Sequence, residues 1–262
     1  MKERADKVVV DRGLAESRQK AQSLIMAGRV FFDGERVDKP GQKVESDREI
    51  LVKEPMPFVS RGGLKLSGAL ERLGISVSGK IAADLGSSTG GFTDCLLQKG
   101  AKKVYAVDVD TRQLDWRLRE DSRVIMIEKN ARYLDKDDFA DPLDIITADL
   151  SFISVLKVLP AVKGFIGAGT LLALIKPQFE AGKGQVGKKG VVRDPSLHDK
   201  VLVKVIEEAE KIGFRAVGLS RSPIRGQKGN REFFLQWSTQ SPALTPERRK
   251  TLIEEAVWNE QD

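Results

Sequence analysis

The sequence predicts an α/β fold: a Rossmann-like, mostly parallel sheet covered by helices on both faces, with a small α+β unit ahead of it. Three observations predict this. From residue 60 onward, apolar runs of strand length alternate with helix-length patterns. A glycine-rich turn, Asp84-Leu85-Gly86-Ser87-Ser88-Thr89-Gly90-Gly91-Phe92, separates the first such run from the next helix. Residues 1–53 have a different grammar, and Glu54-Pro55-Met56-Pro57 breaks regular structure between the two parts. The expected organisation is a unit at 1–53, a linker at 54–59 and a larger domain at 60–262.

The first unit reads as helices at Ala5 to Arg12 and Ser17 to Ala27, with Ser17 as N-cap and Gly28 as stop. Strand pieces follow at Val30 to Phe32, Glu35 to Val37 and Ile50 to Lys53, with turns at Asp33-Gly34 and Pro40-Gly41. In the second part, Ser60 to Gly74 is helical, with an apolar stripe at Leu64, Leu66, Leu70 and Leu73. Strands are expected at Ile81 to Leu85, Val104 to Val107, Val124 to Ile127, Leu143 to Ala148 and Leu171 to Ile175. Helices intervene at Gly91 to Gln98, Val155 to Val162 and His198 to Ile212. The last strands, Ala216 to Leu219 and Phe233 to Trp237, are joined without a helical pattern, which suits an antiparallel hairpin at the sheet edge.

Composition sets the outer limits. With 262 residues, 40% of them hydrophobic, the chain can build a real core, so global disorder is excluded. The longest nearly apolar run, Phe165 to Ile175, falls well short of the roughly 20 residues of a membrane span. The opening MKERADKVVV lacks the apolar stretch of a secretion signal. A single cysteine, Cys95, cannot form an internal disulfide, and a single histidine, His198, cannot build a histidine-rich metal site. These features suggest a cytoplasmic, metal-free protein with a net charge of +6.

The glycine-rich turn carries the chemistry. Phe92-Thr93 replaces the Lys-Ser/Thr of a phosphate-binding loop, and Ser88 stands where a dinucleotide fingerprint needs its second glycine. What remains suits a ligand with a cationic amino-acid end and a nucleoside, gripped by Asp84 and by the backbone of Gly86, Ser87, Ser88, Thr89, Gly90, Gly91 and Phe92. The next strand ends at Asp108, beside Val109, where a carboxylate can take both hydroxyls of a ribose. S-adenosylmethionine fits both anchors without needing a phosphate site.

Four segments then line up in order. Asp84 to Asp94, Ala148-Asp149-Leu150-Ser151-Phe152-Ile153-Ser154, Leu174-Ile175-Lys176-Pro177-Gln178-Phe179-Glu180 and Gly229-Asn230-Arg231-Glu232-Phe233-Phe234 together resemble the TlyA family of FtsJ-like ribosomal RNA ribose methyltransferases, also called haemolysin A. Residues 4–53, with Arg12-Gly13-Leu14-Ala15-Glu16-Ser17-Arg18 and Gly28-Arg29-Val30, resemble the αL RNA-binding motif of a ribosomal small-subunit protein. The resemblance implies a class I methyltransferase fold with an antiparallel edge strand. It also implies a Lys-Asp-Lys-Glu catalytic set at Lys65, Asp149, Lys176 and Glu232, and cofactor contacts at Asn130, Ala131 and Asp149. Asp110 stands two residues beyond Asp108, which is taken as the ribose acid.

A ribose 2′-hydroxyl is a weak nucleophile, so the enzyme must align it with the methyl donor and help it lose a proton. Lys176 is the expected centre, as a neutral base or as a cation stabilising the developing alkoxide. Lys65 would lower its pKa by repulsion, while Asp149 and Glu232 would oppose that shift and orient the amines.

RNA contacts are expected at two places. In the first unit, where acids and bases nearly balance, Arg4, Lys7, Arg18, Lys20 and Arg29 can share a face. The stretch from Gly182 to Arg193 carries Lys183, Lys188 and Lys189 with no acidic residue, and a basic loop can wrap a phosphate backbone. Elsewhere, Cys95 and Trp237 read as packing residues and His198 as exposed, and Trp116 can flank the cofactor. The leading expectation is a cytidine-directed 2′-O-methyltransferase acting on ribosomal RNA or ribosomal subunits. Two rivals are a membrane-lysing haemolysin, disfavoured because the sequence has no span or basic amphipathic helix, and a non-catalytic RNA-binding or assembly factor.

Overall fold

The computed structural model describes residues 2–54, 56–182, 184–187 and 190–259. These form two compact units, 1–56 and 57–262. The first contains β1 (Lys2–Arg4), α1 (Ala5–Asp11), α2 (Arg18–Met26), β2 (Val30–Phe32), β3 (Glu35–Arg36), β4 (Lys43–Glu45) and β5 (Ile50–Val52). Strands order as β3-β2-β5, and β1 pairs with β4 in a separate ribbon. Ser17 caps α2 by accepting from the Lys20 amide at 3.2 Å, and Gly28, at φ 66°, ends the turn after it. Val8, Val9, Ile25, Val30 and Phe32 close a small core of their own.

The second unit opens with α3 (Arg61–Arg72), β6 (Ile81–Leu85), α4 (Gly91–Gln98), β7 (Lys103–Asp108), α5 (Trp116–Arg119) and β8 (Val124–Glu128). It continues with β9 (Ile145–Ala148), α6 (Leu159–Phe165), β10 (Thr170–Ile175), α7 (Pro177–Glu180) and α8 (Pro195–Lys211), then β11 (Arg215–Arg221), β12 (Phe233–Ser238) and α9 (Pro246–Trp258). The sheet runs β11-β12-β10-β9-β6-β7-β8. Strands β6 to β10 are mutually parallel, and β12 runs antiparallel to both β10 and the edge strand β11. This is the Rossmann-like class I methyltransferase arrangement, with the hairpin at one edge. Chain order reverses between β6 and β9, which places the switch-point crevice above their carboxyl ends.

Apolar side chains pack on both faces. Leu66, Leu70, Phe92, Leu96 and Phe234 join α3 and α4 to one face. Tyr105, Ile146, Leu159, Leu202, Phe214 and Trp237 fill the other beneath α6, α8 and α9. Where one helix is expected at Val155 to Val162, a short 3₁₀ turn (Val155–Lys157) leads into α6. Helix α9 escapes the sequence pattern, although Thr245 caps it from Oγ1 and Pro246 opens it. His198 is fully buried rather than exposed. It lies in α8, its Nε2 bonds to the Val192 carbonyl at 3.1 Å, and its ring meets Phe233 edge-on.

Candidate active site

The turn between β6 and α4 is built around the backbone. Gly86 and Ser87 both donate to the Val107 carbonyl, at 2.8 and 3.0 Å, which folds the turn over β7. Gly86 (φ 83°) and Gly90 (φ 96°) adopt conformations that favour glycine. A Cβ on Gly86 would stand 2.7 Å from the Asp149 carbonyl oxygen, and one on Gly90 would strike Leu118. The turn therefore lies directly against the end of β9.

Two adjoining cavities flank this turn. One, about 580 Å³, is lined by Gly86, Ser88, Asp108, Val109, Asn130, Ala131 and Asp149. Asp108 is held at its lip, accepting from the Ser88 amide at 2.9 Å and the Asp110 amide at 3.1 Å. Asp110 instead pairs with Arg112 at 2.8 Å, so the two acids have separate roles. Lys129, the one cation in that lining among the described residues, is tied to Asp138 at 2.7 Å. On the other side of the turn, Ser87 Oγ is buried with no hydrogen-bond partner among the described residues. A spare hydroxyl, glycine backbone and one ribose-height acid fit a nucleoside carrying an amino-acid tail.

Asp84 and Gly90 line neither cavity. Asp84 is fully buried and accepts from Thr93 Oγ1 at 2.7 Å and Thr147 Oγ1 at 3.2 Å. Burial pushes its carboxyl up to about 7, against the pull of the two hydroxyls. It braces the turn from beneath. Trp116 is 65% exposed and lines neither cavity. Cys95 is buried in α4, and its thiol is pushed up to about 12, as an inert packing residue requires.

The second cavity, about 550 Å³, brings Lys65, Asp149, Lys176 and Glu232 together. Topology explains the meeting. Ile175 pairs with Phe233 across β10 and β12, so Lys176 and Glu232 leave the same rung of the sheet. Ala148 pairs with Ala173, which sets Asp149 at the same edge. Lys65, from the α3 turn capped by Ser60, donates to Glu232 Oε2 at 2.6 Å. Lys176 Nζ lies 2.6 Å from Asp149 Oδ1 and donates to Ser151 Oγ at 3.0 Å. A Cβ on Gly226 would collide with the Glu232 carboxylate, so glycine there leaves room for the acid.

Sequence reasoning missed several residues of this cavity. Phe152 is 91% exposed at φ 63°, with its ring 5.4 Å from that of Phe179. Arg61 and Arg225 line the rim; Arg61 donates to the Arg225 carbonyl at 2.8 Å, and neither forms an ion pair among the described residues. A Phe within Asp-Leu-Ser-Phe carries no mark of exposure in sequence, and rim arginines look like any surface arginine.

The expected RNA-contact residues divide. Arg4 and Arg18 bind Asp6, Lys7 binds Glu3 at 2.6 Å, and Arg29 lies 3.7 Å from Glu54. Lys20 is exposed. Lys183, Lys188 and Lys189 lie outside the described residues. The stem of their loop is anchored where Asn230 accepts from the Val192 amide and donates to the Gly190 carbonyl, both at 3.0 Å.

Fold, turn and paired charges define a class I methyltransferase. Residues 58–238 match the FtsJ-like methyltransferase model and residues 3–50 the S4 domain. The chain belongs to the FtsJ-like methyltransferase family and carries an S4 domain. It is 44% identical to the 16S/23S rRNA (cytidine-2′-O)-methyltransferase TlyA of Mycobacterium tuberculosis, over 97% of each chain. It is 46% identical to the protein named Hemolysin A of Brachyspira hyodysenteriae, over 88% of this chain and 97% of that one. A solved structure from Streptococcus thermophilus, provisionally described as a hemolysin, superposes with a TM-score of 0.74 at 45% identity, covering 97% of this chain and 95% of the other.

Proposed function

We propose that this protein transfers a methyl group from S-adenosylmethionine to the 2′-hydroxyl of a cytidine in ribosomal RNA, in the cytoplasm. One observation carries the reading: two lysine–carboxylate pairs meet in a single cavity beside a crevice edged by Asp108. S-adenosylmethionine, when bound, supplies an activated methyl group. Asp108 and the amides of the glycine turn would hold its nucleoside and tail, with Ser87 Oγ as a further polar contact.

The remaining work falls to the chain. Lys176 donates to Ser151 Oγ, and the Asp149 carboxylate lies 2.6 Å away as its counter-ion, with no hydrogen bond to Oδ1 among the described residues. The ammonium hydrogens beyond the one on Ser151 are left for the substrate hydroxyl. As that hydroxyl's proton passes to the Asp149 carboxylate, the Lys176 ammonium stabilises the charge growing on oxygen. Lys65, held by Glu232, keeps a second cation at the same wall. Phe152 offers a bare ring on which a base can stack, and Arg61 and Arg225, without an ion pair among the described residues, offer guanidiniums to the flanking phosphates. The S4 domain and the TlyA relatives support ribosomal RNA as the substrate.

The test is tritium transfer from labelled cofactor to ribosomal RNA, with ribose methylation mapped in cells with and without the protein. Transfer to a cytidine 2′-oxygen is expected, and its absence from RNA, free or in subunits, refutes the reading. No helix among the described residues is long and apolar enough to cross a membrane.

A further inference from the structure

Glu180 is 5% exposed, and nothing in the methyl-transfer chemistry above uses it. It closes α7, the single turn that begins immediately after Lys176. Its carboxylate reaches a different segment: Ser154 Oγ donates to Oε2 at 2.5 Å and the Val155 amide to Oε1 at 2.7 Å. From α8, Lys204 donates to the Glu180 backbone carbonyl at 3.2 Å, which fixes the end of α7 itself.

The segment so held runs from Asp149 to Ser154 and contains no helix or strand. One end is tied to the sheet, where the Asp149 amide donates to the Leu85 carbonyl at 3.0 Å. The other is tied to Glu180. Between these anchors lie Ser151, which meets Lys176, and Phe152, which holds a left-handed backbone conformation with its ring in solvent. A bulky residue keeps such a conformation only where its surroundings over-determine it. Among the described residues, the Glu180 carboxylate is the side-chain anchor that over-determines it from the far end.

We propose that Glu180 is a positioning residue whose buried carboxylate clamps the Ser154–Val155 end of this loop, keeping Ser151 against Lys176 and Phe152 turned outward. The assignment rests on the methyl-transfer reading for its effect on turnover, but the clamp has a readout of its own. A misplacement of about 1 Å at a reacting centre can cost roughly 10²-fold in rate. Burial alone raises the Glu180 carboxyl, and the two donors and Lys204 pull it back. A glutamine keeps an oxygen for the Val155 amide and an NH₂ for Ser154 Oγ, so it can preserve the clamp without the charge.

The experiment compares full-length wild type, Glu180→Ala, Glu180→Gln, Ser154→Ala and the Glu180→Ala/Ser154→Ala double variant. It measures kcat, KM for RNA, Kd for S-adenosylmethionine by calorimetry, and hydrogen exchange of peptides covering 149–155 against those covering β9 and β10. In Glu180→Ala, kcat is expected to fall about 10- to 100-fold. Cofactor Kd should weaken by a smaller factor than kcat falls, because the loop lines the Asp108 cavity but Asp108 and the glycine turn have anchors of their own. Exchange should quicken in 149–155 while the strands stay protected. Glu180→Gln should recover most of the turnover, and the double variant should be no slower than Glu180→Ala. Should Glu180→Ala fail to fold, Ser154→Ala removes one arm of the clamp and carries the same expectations at smaller size. Unchanged exchange in 149–155, or faster exchange spread evenly over the sheet, overturns the clamp. A wild type that folds but transfers no methyl group sinks the methyl-transfer reading instead, and the exchange comparison still decides the clamp.

Discussion

Asp6 in the first unit and Asp84 in the second are both fully buried acids, yet their surroundings drive them in opposite directions. Asp6 accepts from Arg4 at 2.9 and 3.0 Å, from Arg18 at 3.0 Å and from Gln22 at 2.9 Å, and the Arg4 guanidinium above all holds its carboxyl far below the usual range. Asp84 has two hydroxyls and, among the described residues, no cation, and burial lifts it to about 7. The Lys65–Glu232 and Lys176–Asp149 pairs give each acid one cation at the wall of a cavity. Burial thus sets a cost for charge, and the number of cations beside a buried acid decides which way its carboxyl is driven.

The largest effect is expected where a cation is removed from the cavity. Lys176→Ala should lower methyl transfer by at least ~10²- to 10⁴-fold, the usual contribution of acid–base help. Cofactor binding and the melting temperature should stay near wild type, because the lost group faces open space as well as Asp149. Single-turnover kinetics beside calorimetry check this; near-native turnover would remove Lys176 from the mechanism.

Next in size, Asp6→Ala should damage fold rather than chemistry. It strands two guanidiniums, but these are 43% and 58% exposed and regain water, so a loss of about 2–3 kcal/mol is expected. Because the folded pKa of Asp6 is depressed, its contribution is present above the ordinary carboxylate range and fades as pH falls below it. Hydrogen exchange of α1 and α2 in the full chain should show both trends. Unaltered protection would mean that the arginines are ornaments of the surface.

Much of this was legible in sequence, for physical reasons. Runs such as Val104 to Val107 and Leu171 to Ile175 are buried on both faces, so they are continuously apolar and read as central strands. The ribbon of β1 with β4 was not legible, because three-residue segments some 40 positions apart pair through backbone alone. Helix α9 carried its Thr-Pro start but too short an apolar stripe to stand out. His198 was misread because a residue near a helix start looks solvated, whereas Val192 and Phe233 arrive from distant segments to cover it. The family's quartet can be placed by motif order, but only the β10–β12 register explains why Lys176 and Glu232 meet. Phe152 was missed because its exposure is a property of its backbone, not of its type.

A smaller effect should separate bracing from binding at Asp84. An acid whose folded pKa is raised burdens the fold increasingly as pH climbs from about 4 to about 7, so the wild type should lose stability across that window. Asp84→Asn should flatten that slope, by an amount on the order of a few kcal/mol. Cofactor affinity should shift less than about threefold, since Asp84 lines neither cavity. A much larger loss of affinity would restore Asp84 as a direct ligand to the cofactor's amino group.

The smallest effect marks the floor of the scale. Lys211 and Glu208 form a short ion pair on α8 at 2.5 Å, but the two side chains are 67% and 44% exposed. Water already solvates both charges, and holding two long side chains together costs entropy that offsets the attraction. Lys211→Ala should therefore move the melting temperature by no more than about 1 °C and leave turnover unchanged. Its distance rivals that of the Lys176–Asp149 pair, so a silent result here beside a severe one there shows that exposure and the cavity, not proximity, give the catalytic pair its weight.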